Sequence, residues 1–219
     1  MPARTDPHRR GPLAAVAVVL LALGLAACGG DAGDDPPQVL QGMVREPPLE
    51  VGDVVAPEVD ARGEVTDFRF RARPGGLLLV AFGYTQCPDV CPTTLSEFRT
   101  AIGRLGDRGA DRVDVAFYTV DPRRDTPEIV TAYLGSFVDG GHALRAEDFK
   151  ALRVAEKAFN VSSTIREDTE QRIVVTHTAR SFVVDEHGTV VLEWAFGIGA
   201  DVMADDLGML LDRVDQGRS

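Results

Sequence analysis

The stretch LLLVAFGYTQCPDVCPTTL, Leu77 to Leu95, constrains this chain more than any other. Its unbroken apolar run, Leu77 to Phe82, predicts a strand buried on both faces, as found inside a mostly parallel sheet. Gly83-Tyr84-Thr85-Gln86 then carries the chain off the strand end. Cys87 and Cys91 follow, each with a proline directly after it. Beyond them Leu95, Phe98, Ile102 and Leu105 recur at helical intervals until Gly106 stops the pattern. Pro92 suits a first helical turn, where its missing N–H is no loss. Both thiols are thus expected in a tight loop entering a helix N-terminus. There the dipole and the free N–H groups favour thiolate, which is both nucleophile and soft-metal ligand.

The flanking elements predict an α/β domain. Val51 to Pro74 has alternating apolar segments around Asp60-Ala61-Arg62-Gly63, a β-hairpin pattern beside the core. Val113 to Val120 is a second strand, followed by Thr126 as N-cap, Pro127 at the first helical position and Glu128 in the first turn. Ile129, Val130, Tyr133, Leu134 and Phe137 give that helix its buried stripe. Gly140-Gly141-His142 breaks the chain before a helix over Glu147 to Phe159. Ser162 to Arg172 is polar and charged and reads as an exposed loop or an excursion over the site. Strands follow at Ile173 to Thr176 and Phe182 to Val184, then a turn at Asp185-Glu186-His187-Gly188 and a returning strand from Thr189 to Phe196. Leu207, Leu210, Leu211 and Val214 mark a closing helix. This order predicts a three-layer domain with a central sheet flanked by helices.

The first residues carry a different signal. Arg4, Arg9 and Arg10 precede an apolar run, Leu13 to Leu25, short for a bilayer span and suited to a signal peptide. Leu25-Ala26-Ala27-Cys28 resembles a bacterial lipobox, which implies cleavage of residues 1–27 and lipid on Cys28. The competing reading is an ordinary secretory signal that leaves Cys28 free. The lipobox is favoured because Cys28 closes the apolar run and opens a polar stretch. It also leaves Cys87 and Cys91 as an even pair in an oxidising compartment. Residues 28–50, rich in Gly, Asp and Pro, read as a lipidated cysteine and flexible linker, with the folded domain over 51–219. The expected location is the extracytoplasmic face of a membrane in the cell envelope, anchored through Cys28. Losing residues 1–27 removes three Arg and one Asp, which moves the formal charge from −11 to −13. So acidic a surface argues against nucleic acid and against adhesion to anionic lipid head groups.

A structural disulfide is the simplest use of Cys87 and Cys91, but closing so short a loop contributes only about 2 kcal/mol. A domain of this length buries an adequate core without a staple. The pair also lies at the end of a core strand, where α/β sheets place their ligand sites. A redox pair usually reads Cys-x-x-Cys, and here three residues intervene. Thiols four apart at a helix start can reach one ion. Two thiolates select Cu(I) or Zn, and an added imidazole makes a set that copper tolerates in both oxidation states. Structural zinc wants four ligands, and no further cysteine is available. Among the histidines, His187 falls in a hairpin turn and His142 in a Gly loop, both settings of solvation. His177 lies at the mouth of an apolar segment and, taken alone, reads as a satisfied buried histidine.

GYTQCPDVCPTTL, VDPRRDTPEIV and VVTHTARSFVVDEHG resemble, in order, three signatures of the Sco/SenC family. The resemblance runs from about Val51 to the C-terminus and departs at Gln86 and Glu186, neither a ligand. It implies a thioredoxin-like fold and a membrane-anchored copper protein that assists assembly of the CuA centre of cytochrome c oxidase. Carried over by position, Cys87 and Cys91 would be the thiolate ligands, and also a redox-active disulfide pair, with His177 as third ligand. Asp89 and Asp121 would support the ligands from behind, a role weighed evenly against turn formation and helix capping. No proline follows Pro127, so the cis-proline that an ordinary thioredoxin sets opposite its cysteines is missing, and His177 occupies that stretch. Three functions share such a pair: copper delivery to the CuA-bearing subunit, thiol–disulfide exchange that reduces the acceptor's cysteines, and copper-linked redox sensing. Each implies an envelope thiol reductant as partner.

Overall fold

The computed structural model describes residues 39–217. Cys28 and the expected signal segment lie outside the described residues. At the centre are β4 (Leu77–Gly83) and β5 (Val113–Thr119), parallel and in register from Leu77 opposite Val113 to Gly83 opposite Thr119. Every residue of β4 is buried. Alternation along the strand explains why. Leu77, Leu79 and Ala81 face a core shared with α1 (Val90–Leu105), α2 (Pro127–Gly135) and α4 (Ala200–Asp215). Leu78, Val80 and Phe82 face the other core, with Phe68, Phe70, and Leu152 and Ala155 of α3 (Phe149–Ala158). The result is a three-layer, thioredoxin-like arrangement.

On one side of β4, β9 (Arg180–Val184) pairs antiparallel and turns through residues 185–188 into β10 (Thr189–Ala195). On the other side β5 is followed by β6 (His142–Leu144), parallel to it. The expected hairpin is present as β2 (Val55–Val59) and β3 (Val65–Arg69), and it extends the sheet edge through Glu58 opposite Leu144. With β1 (Leu49–Glu50) against β10, the mixed sheet runs β1-β10-β9-β4-β5-β6-β2-β3. The helix starts follow their caps: Thr126 accepts the Ile129 N–H at 3.3 Å, and Asp148 that of Ala151 at 2.8 Å.

Three expectations change. Residues 140–144 are not only a break, because His142 begins β6 and its Nδ1 stands 2.7 Å from Glu58 Oε1, half-buried rather than solvated. The polar segment Ser162 to Arg172, expected as an exposed loop or an excursion over the site, is loop, beyond Ser162 itself, only over residues 168–172. Ser163–Glu167 forms β7, paired antiparallel with β8 (Ile173–His177) as a separate two-stranded hairpin. The flexible linker does not reach residue 50. Asp206, fully buried, accepts the N–H groups of Gln41 at 2.7 Å and Gly42 at 2.9 Å and the Trp194 indole at 2.8 Å. A buried carboxylate needs such donors, and the chain supplies them by folding onto the domain. Gly42 lies so close that a Cβ would meet the Leu192 side chain at 2.6 Å.

Candidate metal centre

The thiol loop is fastened at both ends before any ligand chemistry begins. Where β4 ends, Val120 N–H donates to Gly83 O at 2.7 Å, joining the two strand ends. Gly83 must be glycine here, because a Cβ would stand 2.7 Å from Cys91 Sγ and 2.8 Å from the Phe117 ring. Asp125, fully buried, accepts from Thr85 N–H at 3.0 Å, from Thr85 Oγ1 at 2.6 Å and from Thr119 Oγ1. Arg145 in turn holds the Asp125 and Pro122 carbonyls at 2.7 and 2.6 Å. These four residues, Thr85, Thr119, Asp125 and Arg145, escaped the sequence reading. The second aspartate of VDPRRD was the available signal.

The two candidate supporting aspartates sit differently. Asp89 is exposed at the N-cap position of α1, and its side chain makes no capping bond. Its carbonyl accepts the Thr93 N–H at 3.1 Å. Asp121 is buried and pairs with Arg124, so it faces that guanidinium. Arg124 donates to Gln86 Oε1 at 3.2 Å and lies 5.9 Å over the Tyr84 ring, so the Asp121 carboxylate reaches the rim of the thiol loop through the arginine.

The thiols are unequal. Cys87 is half-buried and its sulfur receives the Cys91 backbone N–H at 3.4 Å, so the helix-start amide serves Cys87. Cys91 is 3% exposed on the inner face of α1. Burial, followed by the neighbouring Cys87, pushes the Cys91 thiol well above its ordinary value. The expected thiolate preference therefore does not extend to Cys91. A helix terminus contributes about 0.3–1 kcal/mol at exposed positions, less than desolvation of a buried charge costs.

The structure brings His177 to this pair across 86 residues of sequence, with Nε2 3.8 Å from Cys91 Sγ. Its Nδ1 stands 3.1 Å from the Thr178 carbonyl, an acceptor that keeps the proton on Nδ1 and leaves the Nε2 lone pair facing the sulfur. Burial lowers the His177 pKa, which also favours neutral imidazole. Tyr84 closes the rim edge-on to His177, ring centroids 6.0 Å apart. Its phenol is raised by burial and then by the two cysteines. The ligand atoms of Cys87, Cys91 and His177 lie within 4.8 Å of one another. Metal bonds of about 2.0–2.3 Å would draw three such atoms together with small side-chain movements. His142 and His187 are elsewhere, the first with Glu58 and the second exposed on its turn, 3.7 Å from Glu186.

Fold and site define a thioredoxin-like domain that brings two thiols and an imidazole together beyond the end of its central strand. The SCO1/SenC family model matches residues 59–212, and the chain belongs to that family. It is similar to the apo Sco1 protein from Thermus thermophilus, with 30% identity, a TM-score of 0.66, and coverage of 80% of this chain and 99% of that one. Bradyrhizobium japonicum ScoI, solved with copper bound, is 29% identical with a TM-score of 0.60, over 71% of this chain and 96% of that one. An SCO2-like protein of Rickettsia prowazekii is 29% identical over 143 residues, 65% of this chain and 68% of the relative.

Proposed function

We propose that this protein binds one copper ion through Cys87, Cys91 and His177 and passes it to the CuA-bearing subunit of cytochrome c oxidase. The observation that carries the reading is the convergence of two sulfurs and an imidazole nitrogen within 4.8 Å, with the other ring nitrogen engaged by a carbonyl. That donor set suits Cu(I) through its thiolates and accommodates Cu(II) through the imidazole. Cys87 and His177 are only half-buried, so an acceptor thiol or imidazole has a side from which to approach. Lipid on Cys28 would hold the domain at the extracytoplasmic face of the membrane. The described chain is packed on the domain from Leu40 and Gln41 onward.

A second reading rests on the inequality of the thiols. A reachable sulfur in front of a buried one suits disulfide exchange. The Cys87 thiolate attacks an acceptor disulfide, forming a mixed disulfide and releasing one acceptor thiolate. Cys91, on giving up its proton, then attacks the Cys87 sulfur and releases the second acceptor thiolate. The acceptor gains two electrons, this protein keeps a Cys87–Cys91 disulfide, and an envelope dithiol is needed to reset it. A redox sensor would share this chemistry without transfer.

Copper binding by the full chain, reduced and then oxidised, tests the first reading. The reduced protein is expected to take up one copper and the disulfide form essentially none, because oxidation removes both thiolates together. Equal retention by both forms overturns it. For anchoring, Cys28→Ser is expected to leave the protein unprocessed or in the soluble fraction. A Cys28→Ser protein still processed and still membrane-bound overturns the lipid anchor.

A further inference from the structure

Residues 163–177 have little to hold them where they are. The β7–β8 hairpin makes no ladder with the eight-stranded sheet, and Ile173 and Val174 on it are exposed. An isolated two-stranded hairpin is marginal in water, so whatever pins its open end decides where that end stands. His177 is at that end, and Ser163 is its direct cross-strand partner. The bonds of Ser162 with Thr178, N–H to carbonyl at 2.9 Å and N–H to hydroxyl at 3.1 Å, tie the strands to each other and not to the domain.

The flanking residues are tied to the body, Val161 N–H donating to Glu156 O at 2.8 Å and Phe196 N–H to Ala179 O at 3.1 Å. Val175 packs partly on the core, but the strands' own close hydrogen bond to the domain is a side-chain bond. Ser163, 3% exposed, donates its hydroxyl to Glu156 Oε1 at 2.5 Å. Among the described residues this is the hydrogen bond that joins the hairpin strands to the body, apart from the long His177–Cys91 contact. Glu156 is itself 2% exposed, on the inner face of α3 beside Leu152 and Ala155, and its other oxygen pairs with Arg153. An apolar residue would serve the packing of α3 at lower cost, since a buried carboxylate is expensive even when partnered. Neither copper binding nor thiol exchange uses this carboxylate directly.

We propose that Glu156 and Ser163 are positioning residues for the third ligand: the buried carboxylate clasps the open end of the hairpin and thereby holds the His177 imidazole against the two sulfurs. Directly paired strand residues have Cα atoms about 4.5–5.5 Å apart, so Ser163 carries His177 with it. The thiolates, on a different element, do not depend on the clasp. Imidazole-dependent properties should therefore fail while thiolate-dependent ones persist. The inference rests on His177 acting as a copper ligand.

The test uses the full chain with Ser163→Ala, Glu156→Leu and the two combined, loaded separately with Cu(I) and Cu(II). Replacing both partners with apolar groups leaves no buried group unpaired, so the double variant should fold as stably as the native chain. Removal of a group that orients a ligand costs on the order of 10–100-fold in metal affinity. The double variant should lose Cu(II) affinity in that range, with a weakened or shifted sulfur-to-Cu(II) absorption, while Cu(I) affinity changes by less than about threefold. Without copper, amide hydrogen exchange over Ile173–His177 should accelerate about tenfold, as expected when a local opening is freed. A stably folded double variant with the native Cu(II) spectrum and native exchange overturns the proposal. His177→Ala separates the two levels: should it keep the full Cu(II) spectrum, the ligand reading fails, and the exchange measurement still decides whether the clasp exists.

Discussion

The thiol loop and the His177 hairpin meet at one point but are held by different means. The loop leaves the central strand of the sheet, and one fully buried carboxylate, Asp125, accepts three donors across its base. Its sulfurs are placed by elements that also build the core, since Cys91 belongs to the same buried cluster as Leu95, Phe98 and Phe117. The hairpin stands outside the main sheet, exposes Ile173 and Val174, and returns to the body through Ser163 and the partly buried Val175. Few buried apolar contacts and exposed backbone bonds mark the low-stability end of a structure. A soft-metal pair on a core element and an imidazole on a less supported one would suit the proposed role, in which the site holds an ion and then gives it up.

Removing each side separately should break the comparison first. Cys87→Ser with Cys91→Ser is expected to abolish copper binding of either oxidation state, read by metal stoichiometry. His177→Ala is expected to abolish the sulfur-to-Cu(II) charge-transfer absorption and to lower Cu(I) affinity only in part, about 10–100-fold at most. His142→Ala and His187→Ala should change neither. Full Cu(II) absorption in His177→Ala, with loss in His187→Ala, would move the third ligand to the turn after β9.

The supports of the loop should cost stability next. Asp125→Ala strands the hydroxyls of Thr85 and Thr119 and the Thr85 N–H, and should destabilise the copper-free protein by about 2–4 kcal/mol in urea unfolding. A loss under about 0.5 kcal/mol would show that the loop is held by something else.

Proton linkage sharpens the contrast, because the two regions fail at opposite ends of the pH scale. His177 has its folded pKa below the ordinary 6.5, so below that value the unfolded chain binds more protons and stability falls as the pH drops. Cys91 has its folded pKa above the ordinary 9.0, so above that value the folded protein keeps a proton that the unfolded chain releases, and stability falls as the pH rises. His177→Ala should flatten the acid limb and Cys91→Ala the alkaline one, in chemical unfolding of the copper-free reduced protein. Unchanged limbs would mean that these groups do not carry the linkage.

The smallest effect is expected at Asp89. Its exposed side chain makes no capping bond, so Asp89→Ala should alter stability by less than about 0.5 kcal/mol and leave the copper spectra unchanged. A large loss of copper affinity would restore Asp89 as a support of the ligands.

Sequence alone determined the parts that are local. The apolar run of β4, the stripe of α1, the Thr126 cap and the turn at residues 185–188 all follow from periodicity and turn chemistry, which act over a few residues. The strand-to-helix placement of Cys87 and Cys91 was readable for the same reason. Resemblance to a family, more than spacing, singled out His177 among the histidines. Tertiary structure decided the rest. It showed that Asp125, rather than Asp121, clamps the thiol loop, through a contact 40 residues away in sequence. It paired His142 with Glu58 across 84 residues and fastened the start of the domain to Asp206 across 165. It also decided that Cys91 is buried deeply enough for desolvation to outweigh the helix terminus. Contacts of that range leave no periodic trace in the chain, because their partners become neighbours only once the sheet has assembled and water has been excluded between its layers.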